Sequence, residues 1–410
     1  MIFNVEKIKY KEIEGGNTTS PKGFHAAGIH CGIRRKKKDL GLLFSEVPAL
    51  TAAVYTMNTF QAAPLQVTKQ TLASSPYQRA LIVNSGNANA FTGDQGMEDA
   101  LKMKNAVVKH FNLSPLEVIV ASTGVIGEKM PMDKIELGIS ELPYHLNKDG
   151  GIDFSEAIMT TDTKVKNLAV EVIIDGKKVI IGGVAKGSGM IHPNMATMFA
   201  FITTDAKINF AALQKLLRNV TDSTFNMITV DGDTSTNDMV TVMANGMAAN
   251  TELDEKHPDW FAFYQGFNYV SEELAKMIAA DGEGATKLIA VNVEGADDKQ
   301  MAKAIAKKIV ASNLVKTAVF GADGNWGRIV MAIGNSGYYI NEKVLEITIG
   351  NIQVVKSGQP TVHDEQDITE ILQQKEVTIS VNLNLGFESA TAWGCDLSYE
   401  YVRINASYRT

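Results

Sequence analysis

The chain has 410 residues, of which 45% are apolar and 21% are charged, and its formal net charge is −7. These values are typical of a globular protein with two or three domains, and they exclude a disordered or fibrous chain. The acidic balance argues against nucleic acid as a partner, and the one basic run, residues 34–38, is interpreted as a solvated loop.

The cysteines and the apolar runs indicate the cellular compartment in which the protein is expected. Cys31 and Cys395 lie far apart, so neither a disulfide framework nor a CxxC metal pair is possible, and the seven histidines show no metal-ligand spacing. The first residues lack the basic and apolar regions of a signal peptide, and no uncharged apolar run approaches the ~18 residues of a membrane span. We therefore expect a cytoplasmic protein with no bound metal and no membrane segment.

The first predicted elements form a unit of strand, helix and strand. Residues 81–83 and 118–120 are apolar throughout and predict buried strands. Between them, residues 97–111 combine apolar side chains such as Leu101 and Val108 with lysines in the pattern of an amphipathic helix. This order is typical of an α/β fold.

A hairpin and a long apolar strand follow. Residues 170–174 and 179–181 predict two strands joined through Asp175-Gly176, a pair that tolerates the positive φ angles of a tight turn. Residues 197–204 are almost unbroken in apolar character, which predicts a strand covered on both faces.

The C-terminal half adds further helices and strands. Ser271 is predicted to cap a helix that reaches about residue 280, with acidic residues in its first turn. A strand is expected at residues 288–293 and a helix at residues 298–311. Because the hairpin excludes an all-parallel sheet, the sequence predicts an α/β fold with layered mixed sheets and helices outside.

Two familiar motifs fail when their context is examined. Residues 282–284 read Gly-Glu-Gly, but they follow a helix and precede a strand, the reverse of a dinucleotide-binding fingerprint. Residues 231–235 begin like a calcium loop, yet Thr236 replaces the required glycine and Val242 the required glutamate. We therefore predict neither a dinucleotide site nor a calcium site.

The most informative segment is residues 186–198, which read Lys-Gly-Ser-Gly-Met-Ile-His-Pro-Asn-Met-Ala-Thr-Met. Its glycines allow strained backbone angles, Pro193 fixes one φ angle, and the predicted strand opens at Thr197. A strained loop that runs into a rigid strand can hold one peptide bond out of its relaxed geometry. The residues alone also fit an ordinary loop at the entrance of a strand.

This segment resembles the self-cleavage motif of the bifunctional ornithine acetyltransferase/N-acetylglutamate synthase family of arginine biosynthesis, with Phe199 in place of the motif's leucine. The resemblance extends along the whole chain. Residues 84–90 match N-S-G-N-A-N-A, residues 123–127 match T-G-V-I-G, residues 281–287 match D-G-E-G-A-T-K, and residues 404–410 match I-N-A-x-Y-R-T.

The resemblance implies that the precursor cuts itself between Ala196 and Thr197. The hydroxyl of Thr197 would attack the carbonyl of Ala196 and give an ester that water then opens. The products would be an alpha chain, residues 1–196, and a beta chain, residues 197–410, which stay associated. The implied fold is that of self-processing acetyltransferases and aminopeptidases.

The resemblance also implies an acetyltransferase with Thr197 as its nucleophile. The free α-amine of Thr197, with a pKa of about 7.7–8.0, can take the proton from its own hydroxyl. The acetyl group would move from N-acetylornithine to Thr197 and then to glutamate. Thr123 and Gly124 would form the oxyanion hole, although by themselves they also fit an ordinary turn after the strand at residues 118–120.

The substrate contacts that the resemblance implies combine hydroxyl, amide and charged groups: Thr160, Lys186, Thr197, Glu283, Asn405 and Thr410. Lys186 can meet a carboxylate and Glu283 an ammonium group. Taken alone, each of these two charges also fits a surface residue. Position 192 is not fixed in the family, so His192 receives no catalytic role.

The resemblance names N-acetylornithine and glutamate as small-molecule partners, without a resident cofactor, and implies a heterotetramer of two alpha and two beta chains. It leaves open whether acetyl-CoA is also an acetyl donor. Two other functions stay open: a self-cleaving aminopeptidase or amidase, which would pass the acyl group to water, and a noncatalytic binding protein, whose chain would never be cut.

Overall fold

The chain is described by a computed structural model that covers residues 9–192 and 198–407. It divides into two compact units. The first is formed by Met1–Gly187, Asn194–Asp222 and Thr234–Leu274, and the second by Ser188–Pro193, Ser223–Asp233 and Ala275–Thr410. Each unit therefore contains residues of both predicted fragments.

The described strands are rich in β-branched and aromatic residues, as expected for half-buried or buried sheets. In chain order they are β1 (Tyr10–Glu12), β2 (Phe24–Ile29), β3 (Leu40–Tyr55), β4 (Tyr77–Asn87), β5 (Val118–Val125), β6 (Lys166–Ile174), β7 (Lys177–Lys186), β8 (Phe199–Thr204), β9 (Ile228–Thr229), β10 (Met239–Ala244), β11 (Leu288–Ala296), β12 (Glu346–Ile349), β13 (Ile352–Lys356), β14 (Gln359–Pro360), β15 (Glu376–Asn382) and β16 (Glu388–Cys395).

The described helices place apolar residues at helical spacing on their buried faces. In chain order they are α1 (Ala63–Ser74), α2 (Gly93–Phe111), α3 (Met132–His145), α4 (Gly151–Ile158), α5 (Phe210–Ser223), α6 (Trp260–Ala280), α7 (Lys299–Val310), α8 (Asn313–Gly321), α9 (Gly327–Gly334), α10 (Glu365–Leu372) and α11 (Tyr399–Ala406). Within residues 9–192 and 198–407, no helix is both long and apolar enough to cross a membrane.

The sheet of the first unit is mixed. Its described strands follow the order β1-β6-β7-β8-β10-β3-β4-β5, with β2 paired to β3. β8 lies inside the sheet, antiparallel to β7 and parallel to β10, and all of its side chains are buried. This register sets Phe199, the first residue of β8, beside Lys186 at the end of β7 and beside Met239 at the start of β10.

Helices cover both faces of this sheet. α1, α2 and α3 share one apolar core with β4 and β5, and α4 and β8 contribute to another. Ile82 belongs to the first core, whereas its neighbours Leu81 and Val83 belong to the second. Because successive residues of a strand point to opposite faces, the two cores lie on opposite sides of the sheet.

The second unit has its own mixed sheet, in the order β14-β13-β12-β15-β11-β16-β9. β11 pairs in parallel with β15 and antiparallel with β16. α7 packs on β11 and β16 and buries Ile305 and Ile309. With a mixed sheet and packed helices in each unit, the predicted α/β class is confirmed.

Most predicted elements are present, and several are longer than predicted. The helix expected at residues 97–111 is α2, which begins at Gly93. The hairpin is formed by β6 and β7, and Asp175 and Gly176 in its turn have φ angles of 52° and 71°. The helix expected at residues 298–311 is α7, whose first turn is capped by the carboxylate of Asp298.

Two predicted boundaries are wrong. The helix expected to begin at Ser271 is α6, which begins at Trp260 because the buried stripe continues back through Phe267 and Phe263. Ser271 therefore lies inside the helix, where its hydroxyl donates to the carbonyl of Phe267 at 2.9 Å. The strand expected to open at residue 197 begins at Phe199.

Candidate active site

Thr123 and Gly124 lie near the end of β5, so the alternative of an ordinary turn at these residues is wrong. Thr123 is 6% exposed. Gly124 has a φ angle of 139°, which side-chain-bearing residues rarely adopt, and a β-carbon there would collide with the backbone of Gly86 in β4. The backbone therefore requires glycine at this position and holds it in a rigid strand end.

Lys186 is the last residue of β7, and it is 8% exposed, so it is not a surface charge. Its Nζ donates to Thr123 Oγ1 at 2.7 Å and lies 5.0 Å from the centre of the Phe199 ring. Burial lowers the pKa of Lys186, and the carboxyl groups of Asp162 and Asp238 oppose this shift. Two of the predicted site residues are thus joined by one hydrogen bond.

Asp162 connects Thr160 to the same group. Its carboxylate accepts the N–H of Thr160 at 2.9 Å, the N–H of Gly187 at 2.7 Å and the ammonium group of Lys166 at 2.7 Å. Burial opposes ionisation of Asp162, but the charges of Lys166 and Lys186 outweigh it and hold the pKa below its usual value. One buried carboxylate therefore fixes both Thr160 and the residue that follows Lys186.

Asp238 directly precedes β10 and interacts electrostatically with the same lysine. It is 2% exposed, and its Oδ2 has no hydrogen-bond partner among the described residues. Burial raises the pKa of Asp238 well above its usual value, and the charge of Lys186 offsets this only in part. Burial thus pushes both Asp238 and Lys186 toward their neutral forms, so their protonation states depend on each other.

The basic run at residues 34–38 is a loop, as predicted, but two of its side chains are engaged rather than solvated. Arg34 donates to the carbonyl of Met159 at 2.7 Å and to that of Thr160 at 2.8 Å. Lys38 pairs with two carboxylates of α4. Arg34 and Asp162 therefore hold the backbone of Thr160 from both sides.

Glu283 and Asn405 form a second group, in the second unit. Glu283 is 6% exposed, and its Oε2 accepts a hydrogen bond from Asn405 Nδ2 at 2.7 Å. Asn405 lies on α11, whose N-cap Ser398 donates its hydroxyl to the carbonyl of Gly284 at 2.6 Å. The structure thus brings together the two sequence blocks that contain Glu283 and Asn405.

The loop that leads toward the expected cleavage site also contacts Glu283. The carbonyl of Ser188 accepts the N–H of Glu283 at 3.0 Å, and the hydroxyl of Ser188 donates to the carbonyl of Asp281 at 2.7 Å. A β-carbon at Gly189 would collide with the carboxylate of Glu283. This close approach explains why the loop has glycine at position 189.

A group of possible metal ligands lies elsewhere, at the hairpin turn of the first unit. Asp175, His257 and Asp259 each place one ligand atom within 4.8 Å of the others. His257 Nδ1 accepts the N–H of Asp259 at 3.1 Å, so Nε2 carries the ring proton and faces Asp175 at 3.2 Å. This tautomer leaves no free ring lone pair for a metal ion, and the three residues act as a clamp on the turn.

Sequence reasoning missed Asp162, Lys166 and Asp238. Asp162 and Lys166 are four residues apart but lie outside any helix, so no helical spacing marks them as a pair. Asp238 stands directly before the fully buried strand β10. An acidic residue at the entrance of a buried strand is the signal that could have identified it, because such a charge needs a partner.

Ala196, Thr197 and Thr410 lie outside the described residues, so their roles as cleavage site, nucleophile and substrate contact stay predictions. Met198, the residue after Thr197, is described and fully buried. Its carbonyl accepts the N–H of Met239 at 2.9 Å.

Comparisons with known proteins agree with one another. The ArgJ family model matches residues 25–410. The arginine biosynthesis bifunctional protein ArgJ of Oceanobacillus iheyensis is 58% identical over 409 residues, which cover 99% of this chain and 100% of that protein. The protein of the same name from Geobacillus kaustophilus is 55% identical over 398 residues, 97% of each chain.

A solved structure is also similar. The crystal structure of arginine biosynthesis bifunctional protein argJ from Bacillus halodurans shares 55% identity with a TM-score of 0.50, and the match covers 51% of this chain and 98% of that one. Given the family match and the identities over nearly the whole length, the chain belongs to the ArgJ family.

Proposed function

We propose that this chain is a self-cleaving ornithine acetyltransferase, which moves the acetyl group of N-acetylornithine to glutamate through acetyl-Thr197. The names of its relatives assign them to arginine biosynthesis, which supports these substrates. The observation that carries the proposal is the hydrogen bond from buried Lys186 to Thr123, next to Gly124, because it prepares a polarised donor in a rigid site.

The first reaction is cleavage of the chain. The hydroxyl of Thr197 adds to the carbonyl of Ala196, the C–N bond breaks as the nitrogen takes up a proton, and water hydrolyses the resulting ester. The products are a carboxylate on Ala196 and a free α-amine on Thr197. The solved relative from Bacillus halodurans supports cleavage into two fragments. The match covers 98% of its chain but only 51% of this one, and each proposed fragment is about half of this chain.

The two fragments remain associated in this proposal because strand pairing crosses the cleavage site. β7 belongs to residues 1–196 and β8 to residues 197–410, yet every residue of β8 pairs with a residue of β7, such as Phe201 with Val184. All side chains of β8 are buried. Separation of the fragments would expose this apolar surface to water, which is strongly unfavourable.

Acetyl transfer follows in two displacements. The α-amine of Thr197 takes the proton of the hydroxyl, whose oxygen attacks the acetyl carbonyl, and the amino group of ornithine leaves with a proton. The amino group of glutamate then attacks acetyl-Thr197, which releases N-acetylglutamate and regenerates the hydroxyl.

Thr123 and Gly124 supply the oxyanion hole. Because Thr123 Oγ1 accepts a hydrogen bond from Lys186, the O–H of Thr123 stays available for the oxygen that becomes negative. The positive charge of Lys186 strengthens this donor. Glycine at position 124 allows the reacting group to approach the backbone closely.

Charged side chains supply recognition. An ammonium group has three donors, so Lys186 can contact Thr123 and still bind the carboxylate of a substrate. Glu283, with Asn405 beside it, meets an ammonium group. Thr160 and Thr410 complete the proposed contacts.

Acetyl-CoA is a second acetyl donor in this proposal. The word bifunctional in the names of the relatives favours a further activity. We also propose that two alpha and two beta chains form a heterotetramer. We further propose a cytoplasmic location, which the free thiols of Cys31 and Cys395 support. Release of free thiol from acetyl-CoA in the presence of glutamate, absent in Thr197→Ala, tests the second donor.

The decisive test of the proposal is to follow Thr197. On a denaturing gel the purified protein should give two fragments, one of which begins at Thr197, whereas Thr197→Ala should remain one chain. N-acetylornithine alone should add one acetyl group to fragment 197–410, detected by mass spectrometry, and glutamate should remove it. An active preparation whose sole N-terminus is Met1 would refute the cleavage model.

Dependence on glutamate separates the transferase from a related hydrolase. Release of the acetyl group should be much faster with glutamate than without it. Equal release in both cases would mean that water is the acceptor and that the protein is an aminopeptidase or amidase.

A further inference from the structure

Asp231 binds the loop that precedes the proposed cleavage site. Asp231 Oδ2 accepts the N–H of Met190 at 2.6 Å, and Oδ1 accepts the N–H of Ile191 at 2.9 Å. Oδ1 also accepts the N–H of Asp233 at 3.1 Å. The side chain of Asp231 therefore accepts hydrogen bonds from two consecutive residues of the loop and from the backbone two residues after itself.

The backbone of Met190 is unusual. Its φ angle is 56°, in the left-handed region that methionine rarely adopts, and its side chain is 43% exposed. Successive N–H groups at a left-handed residue form a concave anion site, and here the carboxylate of Asp231 occupies it. Asp231 is thus the group that holds Met190 in this conformation.

Other contacts keep the loop in register with the segment that contains Asp231. The N–H of Val230 donates to the carbonyl of Ile191 at 2.7 Å, and the hydroxyl of Thr229 donates to the same carbonyl at 3.3 Å. Burial raises the pKa of Asp231, whereas the backbone N–H groups oppose this shift by stabilising the carboxylate. The carboxylate of Asp231 is therefore engaged by backbone N–H groups of the loop.

We propose that Asp231 is a positioning residue for self-cleavage, which fixes the conformation of residues 190 and 191 in the loop that precedes the Ala196–Thr197 bond in the sequence. This inference rests on the proposed function. Asp231 takes no part in bond making or breaking. It limits the conformations of the segment that must present the bond to the attacking hydroxyl, and orientation of this kind can supply a large part of a rate.

The test measures cleavage of freshly synthesised precursor after translation is stopped. Asp231→Asn keeps the shape of the side chain but replaces one acceptor oxygen with an NH₂ donor, which opposes the N–H groups of the loop. We expect the first-order rate of cleavage to fall at least about tenfold. Asp233→Asn is the matched control: it removes a neighbouring, exposed carboxylate and should leave the rate near that of the parent.

Met190→Gly provides the second arm. Glycine adopts a φ angle near 56° without strain, so the loop needs Asp231 less when position 190 is glycine. The double variant Asp231→Asn/Met190→Gly should recover part of the lost rate. A simple loss of folding at Asp231→Asn would not be repaired by adding a flexible residue.

A readout that does not depend on cleavage completes the test. In a Thr197→Ala background, Asp231→Asn should speed hydrogen exchange of the amides of Met190 and Ile191, while exchange in the strands stays unchanged. A parent that never cleaves would refute the proposed function. A parent that cleaves, with Asp231→Asn cleaving equally fast or with no recovery from Met190→Gly, would refute the role of Asp231 alone.

Discussion

The two groups of proposed site residues differ in how the chain holds them. In the first unit, Thr123 lies near the end of β5, Lys186 is the last residue of β7, and the carboxyl groups that act on Lys186 are buried. In the second unit, Glu283 lies in a turn and its partner Asn405 is an exposed residue of a short helix near the described end of the chain.

This difference matches the demands that the proposed reaction makes on each group. Oxyanion donors act on a charge that forms only briefly, and a rigid, buried setting strengthens them without reorganisation during the reaction. Recognition groups must release one amino acid and admit another, and a residue in a turn with an exposed partner on a short helix is less firmly held than a residue in a sheet. Substitution of the oxyanion donors in the first unit should therefore reduce the chemical step, and substitution of Glu283 or Asn405 in the second should reduce binding more.

The largest effect is expected for Thr123→Ala. Loss of one oxyanion donor should lower kcat for acetyl transfer by roughly a hundred- to a thousandfold, equivalent to roughly 2.7–4 kcal/mol. Rates are compared per mole of cleaved protein, since the same donor serves cleavage. Thr123→Ser keeps the hydroxyl and should retain most of the activity. A near-parental kcat in the Thr123→Ala enzyme would show that Thr123 does not act in the chemical step.

Glu283→Gln should have the next largest effect. It removes the charge proposed to meet the ammonium group of ornithine and leaves that group unpaired, so kcat/KM for N-acetylornithine should fall by well over about tenfold, mainly through KM. Glu294→Gln makes the same chemical change at an exposed position of the second unit and is the control. An unchanged kcat/KM in cleaved Glu283→Gln protein would exclude Glu283 from the site.

A smaller, pH-dependent effect is expected for Asp238→Asn. Burial lowers the pKa of Lys186, and Asp238 is one of two carboxyl groups that oppose this shift. Without the Asp238 carboxylate, the pKa of Lys186 should fall further, so its charge is lost at lower pH. The alkaline limb of the kcat/KM profile should therefore move to lower pH, with little change on the acid side. Superimposable profiles would show that Asp238 does not tune Lys186.

The spacing of residues along the sequence predicted many of the helices and strands. It failed where burial against other parts of the chain sets the boundary of an element. The turn at Asp175 and Gly176 follows from their tolerance of positive φ, and the helix expected at residues 298–311 is α7. Ser271, followed by two glutamates, fits a helix start equally well. Only the burial of Phe263 against the rest of the unit shows that the helix has already begun.

Sequence motifs marked the residues of the candidate site that the structure brings into contact within each unit. Thr123, Lys186 and Glu283 were predicted from the sequence blocks that contain them, because each residue alone also fits an ordinary turn or a surface charge. Asp162 and Asp238 belong to no such block, and their proximity to Lys186 depends on the pairing of strands far apart in the chain. No spacing within the sequence carries that information.

The smallest effect is expected for His192→Ala, which tests whether the second unit takes part in proton transfer. His192 lies five residues before Thr197 in the sequence, and a histidine is the usual base for a hydroxyl nucleophile. However, burial and then the charge of Lys307 lower the pKa of His192 to about 4, and its Nδ1 contacts Thr229 Oγ1 at 3.0 Å.

A ring with so low a pKa is neutral near neutral pH and binds a proton weakly, so it is a poor general base there. The α-amine of Thr197, with an ordinary pKa of about 7.7–8.0, is better matched and is attached to the nucleophile itself. We therefore expect His192→Ala to cleave and to transfer acetyl at close to the parental rate, which should rise with pH through the amine's apparent pKa in both proteins. Removal of a true general base costs roughly 10²–10⁴-fold. A loss of that size in cleaved, folded His192→Ala protein would make His192 the base and would assign proton transfer to the second unit.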